Sequence, residues 1–193
     1  MANHRSDVFN RQKQQGVFAV EFALVGSIIA LFLMFLSDIV VKENTLGHLQ
    51  RLSYSGVNVI KERTQLYDES GEIVDKQVTQ LYTLLSNSLR RTMSSFEPGS
   101  FGMHLEQVIF TDADCEGSSP CLKEDANEFH KGLQGCASTS SLANMTELYL
   151  ETSWGRAPTL YQVTLCYDGQ NWYGDLIDKD FSLIRASSVM LGR

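Results

Sequence analysis

The segment Arg11-Gln12-Lys13-Gln14-Gln15-Gly16-Val17-Phe18-Ala19-Val20-Glu21-Phe22 opens the one long apolar run of this 193-residue chain, and the run continues to about Val41. About 20 apolar residues are enough to cross a bilayer, so residues 17–41 are read as a transmembrane helix. Glu21 stands inside that run and Gly16 stands directly before it. A carboxylate at the centre of a span costs about 2.5–3.5 kcal/mol on insertion scales. An anchor with no other task would do better with leucine, so position 21 carries a task of its own. Arg5, Arg11 and Lys13 precede the run, opposed by Asp7. Positive flanks stay on the cytoplasmic side. The N-terminus is therefore expected in the cytoplasm, with residues from about 42 onward outside the inner membrane. A cleaved secretory signal fits less well. It has an apolar core of about 7–15 residues and then a small-x-small site, whereas this run is longer and passes into Ser37-Asp38-Ile39-Val40-Val41-Lys42-Glu43.

Beyond the span the apolar pattern continues. Leu46, Leu49, Ser53, Val57 and Ile60 recur every three or four residues, the signature of one face of an amphipathic helix. No proline interrupts residues 17–63, and Gly47 and Gly56 weaken the run by only about 1 kcal/mol each. One long stem is expected, with a break at the glycines as the alternative. After Asp68-Glu69-Ser70-Gly71-Glu72, a second helix is marked by Ile73, Val74, Val78, Leu81, Leu85 and Leu89. It ends near Arg90-Arg91, where cations suit the helix dipole. Ser94 to Ser100 is a loop. From there the period changes from 3.6 to 2. Strands are expected over Leu105–Thr111, Glu147–Ser153, Thr159–Tyr167 and Phe181–Met190. The third alternates Leu160, Gln162, Thr164 and Cys166 on one face with Tyr161, Val163, Leu165 and Tyr167 on the other. Asp168-Gly169 reads as a hairpin turn. Residues 112–140 read as a polar excursion with one helical turn near Glu124–Lys131. The fold class is α+β: a long transmembrane and amphipathic N-terminal helix, a second helix, and a C-terminal antiparallel sheet over residues 101–193. The second helix and the sheet are expected to pack on the lower stem.

The formal net charge is −7, and the first sixteen residues are net positive, so the remainder is more acidic still. An acidic exported domain repels phosphates, which excludes nucleic acid as a partner. Cys115, Cys121, Cys136 and Cys166 all lie beyond the span. An even count in an oxidising compartment points to disulfides. Three pairings are open, with Cys115–Cys121 and Cys136–Cys166 favoured. A zinc site that includes His130 is the rival, but no C-x-x-C pair or regular ligand spacing supports it.

A search for catalytic chemistry finds none. His4, His48, His104 and His130 are scattered, with no H-E-x-x-H pair, nucleophile elbow or phosphate loop. Asp112, Asp114, Glu116 and Gly117 match the first half of a calcium loop, but position twelve is Lys123 where a bidentate glutamate belongs. A solvated turn fits better. Asn144-Met145-Thr146 is a sequon that would matter in a eukaryotic secretory pathway. Trp154, Tyr161, Trp172 and Tyr173 suit a sheet core more than a binding face. No enzyme activity, metal or cofactor is expected.

Gly16 and the string Val17-Phe18-Ala19-Val20-Glu21-Phe22-Ala23-Leu24-Val25 resemble the processing site of type IV-like prepilins, and most closely the tight adherence (Tad, or Flp) minor pseudopilins TadE and TadF. Phe22 stands where major Flp pilins usually have tyrosine. The length and the C-terminal domain favour a TadF-like chain. The resemblance implies a leader, residues 1–16, cut by a prepilin peptidase between Gly16 and Val17. It implies a transmembrane helix at 17–41 and a periplasmic stem with second helix over 42–92. It assigns Glu21, with Phe22 beside it, to assembly contacts with the free amine of a neighbouring subunit. The implied partners are a TadV-type peptidase, the major Flp pilin, a TadE-like pseudopilin, the inner-membrane platform proteins and membrane lipid. The alternative is a signal-anchored periplasmic binding module that is never processed.

Overall fold

A computed structural model describes residues 4–67, 73–109, 127–145, 148 and 158–192, with the side chains of the first helix described over 18–62. That helix, α1, runs unbroken through His4–Tyr67. At 1.5 Å per residue it is roughly 95 Å long. It passes through Gly26, Gly47 and Gly56 without a break, so the stem is one helix with the span. Gly56 has a packing reason: a β-carbon there would press on Leu85 Cδ1 of the second helix at 3.2 Å. Gly47 meets nothing within 4 Å.

The second helix, α2, spans Asp75–Thr92 and buries Val78, Leu81, Leu85 and Leu89, the expected stripe. Four antiparallel strands follow: β1 Phe101–Val108, β2 Asn127–Gly132, β3 Leu160–Asp168 and β4 Leu183–Leu191. Their spatial order is β2-β1-β3-β4. Both helices lie on one sheet face. Leu49, Val57 and Ile60 of α1 meet Val163, Leu165 and Ala186 in one core, joined by Phe101, Met103 and Leu105. Ser53, fully buried among them, shares a 2.7 Å hydrogen bond with Ser188 of β4. The expected α+β class holds.

Several element boundaries differ from the sequence reading. β1 starts at Phe101 rather than Leu105, because Phe101 and Met103 continue the core-facing alternation of Leu105. The expected helical turn near Glu124–Lys131 is wrong where it is described: Asn127–Gly132 is strand β2, paired along β1 with His130 opposite His104. Asp168-Gly169 is not a two-residue hairpin turn. Asp168 pairs with Leu183, so residues 169–182 form the connection, and it contains a short helix, α3, at Trp172–Leu176. β4 accordingly begins at Leu183. The calcium-like loop lies outside the described residues, as does the strand expected over 147–153 except Leu148, which is in a 3-10 turn with its N–H on the Met145 carbonyl.

The second sheet face is covered as well. The coil over residues 133–145 crosses it and is tied down by a disulfide from Cys136 to Cys166 of β3. Leu142 packs there on Val108 and Leu160. Gly102 makes the close crossing possible, since a β-carbon on it would sit 2.9 Å from Cys136 Cβ. The two cysteines are 30 residues apart in sequence. Loop-closure entropy for that separation is about 3–4 kcal/mol. Replacing both cysteines with alanine is expected to lower the unfolding free energy by about that amount. Chemical denaturation of the double variant beside the oxidised parent measures it.

Candidate functional site

The residues singled out in the sequence fall in two places. Gly16 and Val17 lie within α1 as helical backbone. Glu21 and Phe22 follow one turn later, on a helix whose surface is apolar and open: Phe18, Val20, Phe22, Leu24 and Val25 are all more than half exposed. The Phe18 and Phe22 rings stack with centroids 6.5 Å apart. The helix from Phe18 is long and apolar enough to cross a membrane by length and composition. Glu21 is exposed too, and among the described residues no cation pairs with it. A bare carboxylate on such a surface is tolerable in a low-dielectric layer when an opposite charge meets it.

Further along, the same helix handles a carboxylate differently. Asp38 is buried against the domain and pairs with Lys42 Nζ at 2.6 Å, one turn on. From there the buried stripe continues through Thr45, Leu49, Ser53, Val57 and Ile60. Lipid-type surface thus gives way to core-type surface within about two turns. The helix geometry places Glu21 some 25 Å below Asp38 at 1.5 Å per residue.

A second cluster lies on the covered face of the sheet. His104 stands opposite His130, and Glu106 opposite Glu128, on the paired strands β1 and β2. Glu106 accepts the Leu142 N–H at 2.6 Å. Ser138 N–H donates to His104 Nδ1 at 3.3 Å, and Gln162 Nε2 donates to the Ser138 hydroxyl at 2.7 Å. Because His104 Nδ1 accepts, its proton sits on Nε2, which is buried without a hydrogen-bond partner. Glu128 Oε2 approaches that nitrogen only to 3.8 Å. Burial pushes the His104 pKa below its usual value, His130 adds to the fall, and the two glutamates oppose it without prevailing.

His104, Glu128 and His130 bring one ligand-type atom each within 4.8 Å of the others. The geometry does not converge on an ion. The two imidazole planes lie 7° from parallel with centroids 4.2 Å apart, so their in-plane lone pairs run side by side. The protonated Nε2 of His104 has no lone pair to give. Among the described cysteines, Cys136 and Cys166 are joined to each other and offer no thiolate to the zinc rival of the sequence reading. Sequence reasoning missed this cluster. The signal was His-x-Glu in β1 and Glu-x-His in β2, concealed once residues 124–131 were read as a helical turn.

Other expected site residues divide as follows. Cys115, Cys121 and Trp154 lie outside the described residues. Tyr161 is core, 3% exposed, but Trp172 is 47% exposed and is not a core residue. Tyr173 packs on Phe35 of α1 rather than within the sheet.

Comparison with known families now bears on the first place. The family described as "Putative tight adherence pilin protein F", TadF, matches residues 10–193, nearly the whole chain. The chain belongs to the TadF family. The match takes in Gly16, Glu21, the span and the sheet domain alike. No curated protein and no solved structure matches the chain. Membership makes it a pilin-type component of the Tad pilus, and the long apolar N-terminal helix fits a membrane-anchored member of that family.

The depressed His104 pKa has a consequence for the TadF-family domain. Neutral His104 contributes stability that is fully present above 6.5, its ordinary value, and lost as pH falls from there through the lower folded value. The thermal midpoint of the full chain is therefore expected to fall as pH drops below about 6.5, and His104→Leu to flatten that segment of the profile. Circular dichroism melts across pH decide it. An identical acid slope in the variant would assign the effect elsewhere.

Proposed function

We propose that this chain is a minor pseudopilin of the tight adherence pilus. A TadV-type prepilin peptidase cuts it between Gly16 and Val17 on the cytoplasmic face of the inner membrane. The remainder stays as a single-pass subunit with its sheet domain in the periplasm. There it supports assembly of the major Flp pilin, together with a TadE-like pseudopilin and the inner-membrane platform. Its work is packing and registration, with no chemistry of its own.

The observation that carries this reading is the exposed, unpaired Glu21 on the apolar part of α1, one turn beyond Gly16. Processing changes its electrostatics in two ways. It creates an ammonium on Val17, the kind of opposite charge that makes a carboxylate tolerable in a low-dielectric layer. It also moves Glu21 from the helix interior to the fifth residue of the helix, at the edge of the first turn over which the macrodipole favours an anion. In a bundle of such helices, one subunit's Glu21 facing another's Val17 amine would fix their axial stagger.

Mass spectrometry of the chain co-expressed with its peptidase is expected to show a mature form beginning at Val17. Gly16→Leu should leave it intact at Met1. An uncut parent, or unaffected cutting of the variant, sinks the processing step. Glu21→Ala is expected to insert normally, since losing a charge favours insertion, and to abolish piliation counted by electron microscopy. Full piliation in that variant would remove the subunit-contact role.

A further inference from the structure

The connection between β3 and β4 descends beside the outer end of the apolar span. Tyr173 meets Phe35 edge-on, with ring centroids 4.7 Å apart, and Lys42 Nζ lies 5.9 Å from the centre of the Phe181 ring. Phe35 belongs to the 17–41 run, so α3 sits level with about the last two turns of the span. At that level the connection exposes Trp172, Leu176, Ile177 and Phe181, at 47%, 59%, 44% and 53%. Leu36, Ile39 and Val40 of α1 are exposed at the same height. The apolar surface of the span therefore continues sideways onto the domain. Isolated exposed apolar residues need no explanation; a patch that extends another apolar surface does.

The connection holds this face out on a fixed backbone. Asn171 Nδ2 donates to the Lys179 carbonyl at 2.7 Å and to Asp175 Oδ1 at 3.1 Å, while its Oδ1 accepts the Phe181 N–H at 3.2 Å. Gly174 is buried against this hub, and any β-carbon on it would collide with the Asn171 side chain. The charged residues Asp175, Asp178, Lys179 and Asp180 line a separate hollow. The charged side chains of the connection are thus gathered at the hollow, which none of the four exposed apolar ones lines.

We propose that the apolar side of the β3–β4 connection docks into the headgroup–acyl boundary of the membrane that α1 crosses, on the periplasmic side. The inference rests on the anchored reading above. Three features favour lipid. The contact with Phe35 fixes the height of the patch at the end of the span. Tryptophan and tyrosine are the residues enriched at that boundary. The exposed face is continuous with the lipid-facing surface of α1. Amphipathic elements of this kind sink about 5–10 Å into the interface. The docked connection would hold the domain against the bilayer and restrict the tilt of the stem.

The test uses the full chain in lipid vesicles at high lipid excess. Trp154→Phe leaves Trp172 as the sole tryptophan. Its emission is expected to be largely lost with acyl chains brominated near the headgroup, less with deeply brominated chains, and little with aqueous iodide. A second variant, Trp154→Phe, Trp172→Phe and Phe32→Trp, reports on the span itself. Quenching of that span reporter by brominated lipid, together with a Trp172 quenched only by iodide, overturns the docking while leaving the anchor intact. Protection of Trp172 from both quenchers also overturns it, in favour of a neighbouring subunit covering the patch. A span reporter that brominated lipid does not quench overturns the anchor and the docking with it.

Discussion

A single unbroken helix has to satisfy two different solvents, and the rest of the molecule is arranged around that requirement. All backbone hydrogen bonds of an α-helix close within the segment, so the same secondary structure serves in hydrocarbon and in water. Only the side chains need to change. From Phe18 to Leu36 the exposed surface of α1 is apolar apart from Glu21, the small residues and Ser27. From Asp38 onward one stripe is buried and the other faces turn polar. The stripe through Leu49, Ser53, Val57 and Ile60 sets where the sheet sits, since the core-facing residues of β3 and β4 must meet it. α2 then fills the remaining width of the sheet, seated against α1 where Gly56 allows Leu85 to approach.

The opposite sheet face follows another rule. It buries polar groups, and buried polar groups need partners. His104, Glu106 and Gln162 would be orphaned if the coil over 133–145 lifted away, because Ser138 and Leu142 supply their hydrogen bonds. The disulfide to Cys166 holds that coil at one end and the Leu142 contact holds it at the other. Covalent staple, apolar plug and hydrogen-bond network thus depend on one another. Two places are imperfect among the described residues: Gln162 Oε1 is buried without a partner, and His104 Nε2 is a buried donor facing Glu128 just beyond bonding range. A protonated His104 would set two N–H groups, its own and that of Ser138, against each other. That arrangement favours the neutral state, as does burial, the main cause of the lowered pKa.

Periodicity made the helical half of this fold readable. Leu46 to Ile60 and Val78 to Leu89 repeat at 3.6 because each helix has a single buried face, and those stripes are the ones observed. β3 was readable because its alternation is strict, although both of its faces prove to be buried. β2 was not. Asn-Glu-Phe-His-Lys-Gly is an edge strand of half-exposed and exposed residues whose pairing is decided by β1, far back in the sequence, and nothing local distinguishes it from a helical turn. Asp168-Gly169 misled for the reverse reason. The dipeptide is locally competent for a tight turn, yet the strand resumes only at Leu183, because α3 and its contact with Phe35 take up the intervening chain. The His104 cluster was invisible for the same cause as β2: its members become neighbours only through strand register.

Two carboxylates on α1 show how the chain divides its tasks. Asp38 lies where the span meets the domain, and the chain itself provides Lys42 one turn away and a covering of packed residues. Glu21 has the same charge on the same helix, and among the described residues no cation pairs with it. A lysine at position 25, where Val25 stands, would have neutralised it at i,i+4 as Lys42 neutralises Asp38. The sequence therefore contains the local solution to an awkward carboxylate and does not apply it at position 21. Isolation of a costly charge, beside a residue set matching a pilin family over nearly the full chain, is what turns Glu21 from an anomaly of composition into the proposed point of contact with a charge carried by another subunit.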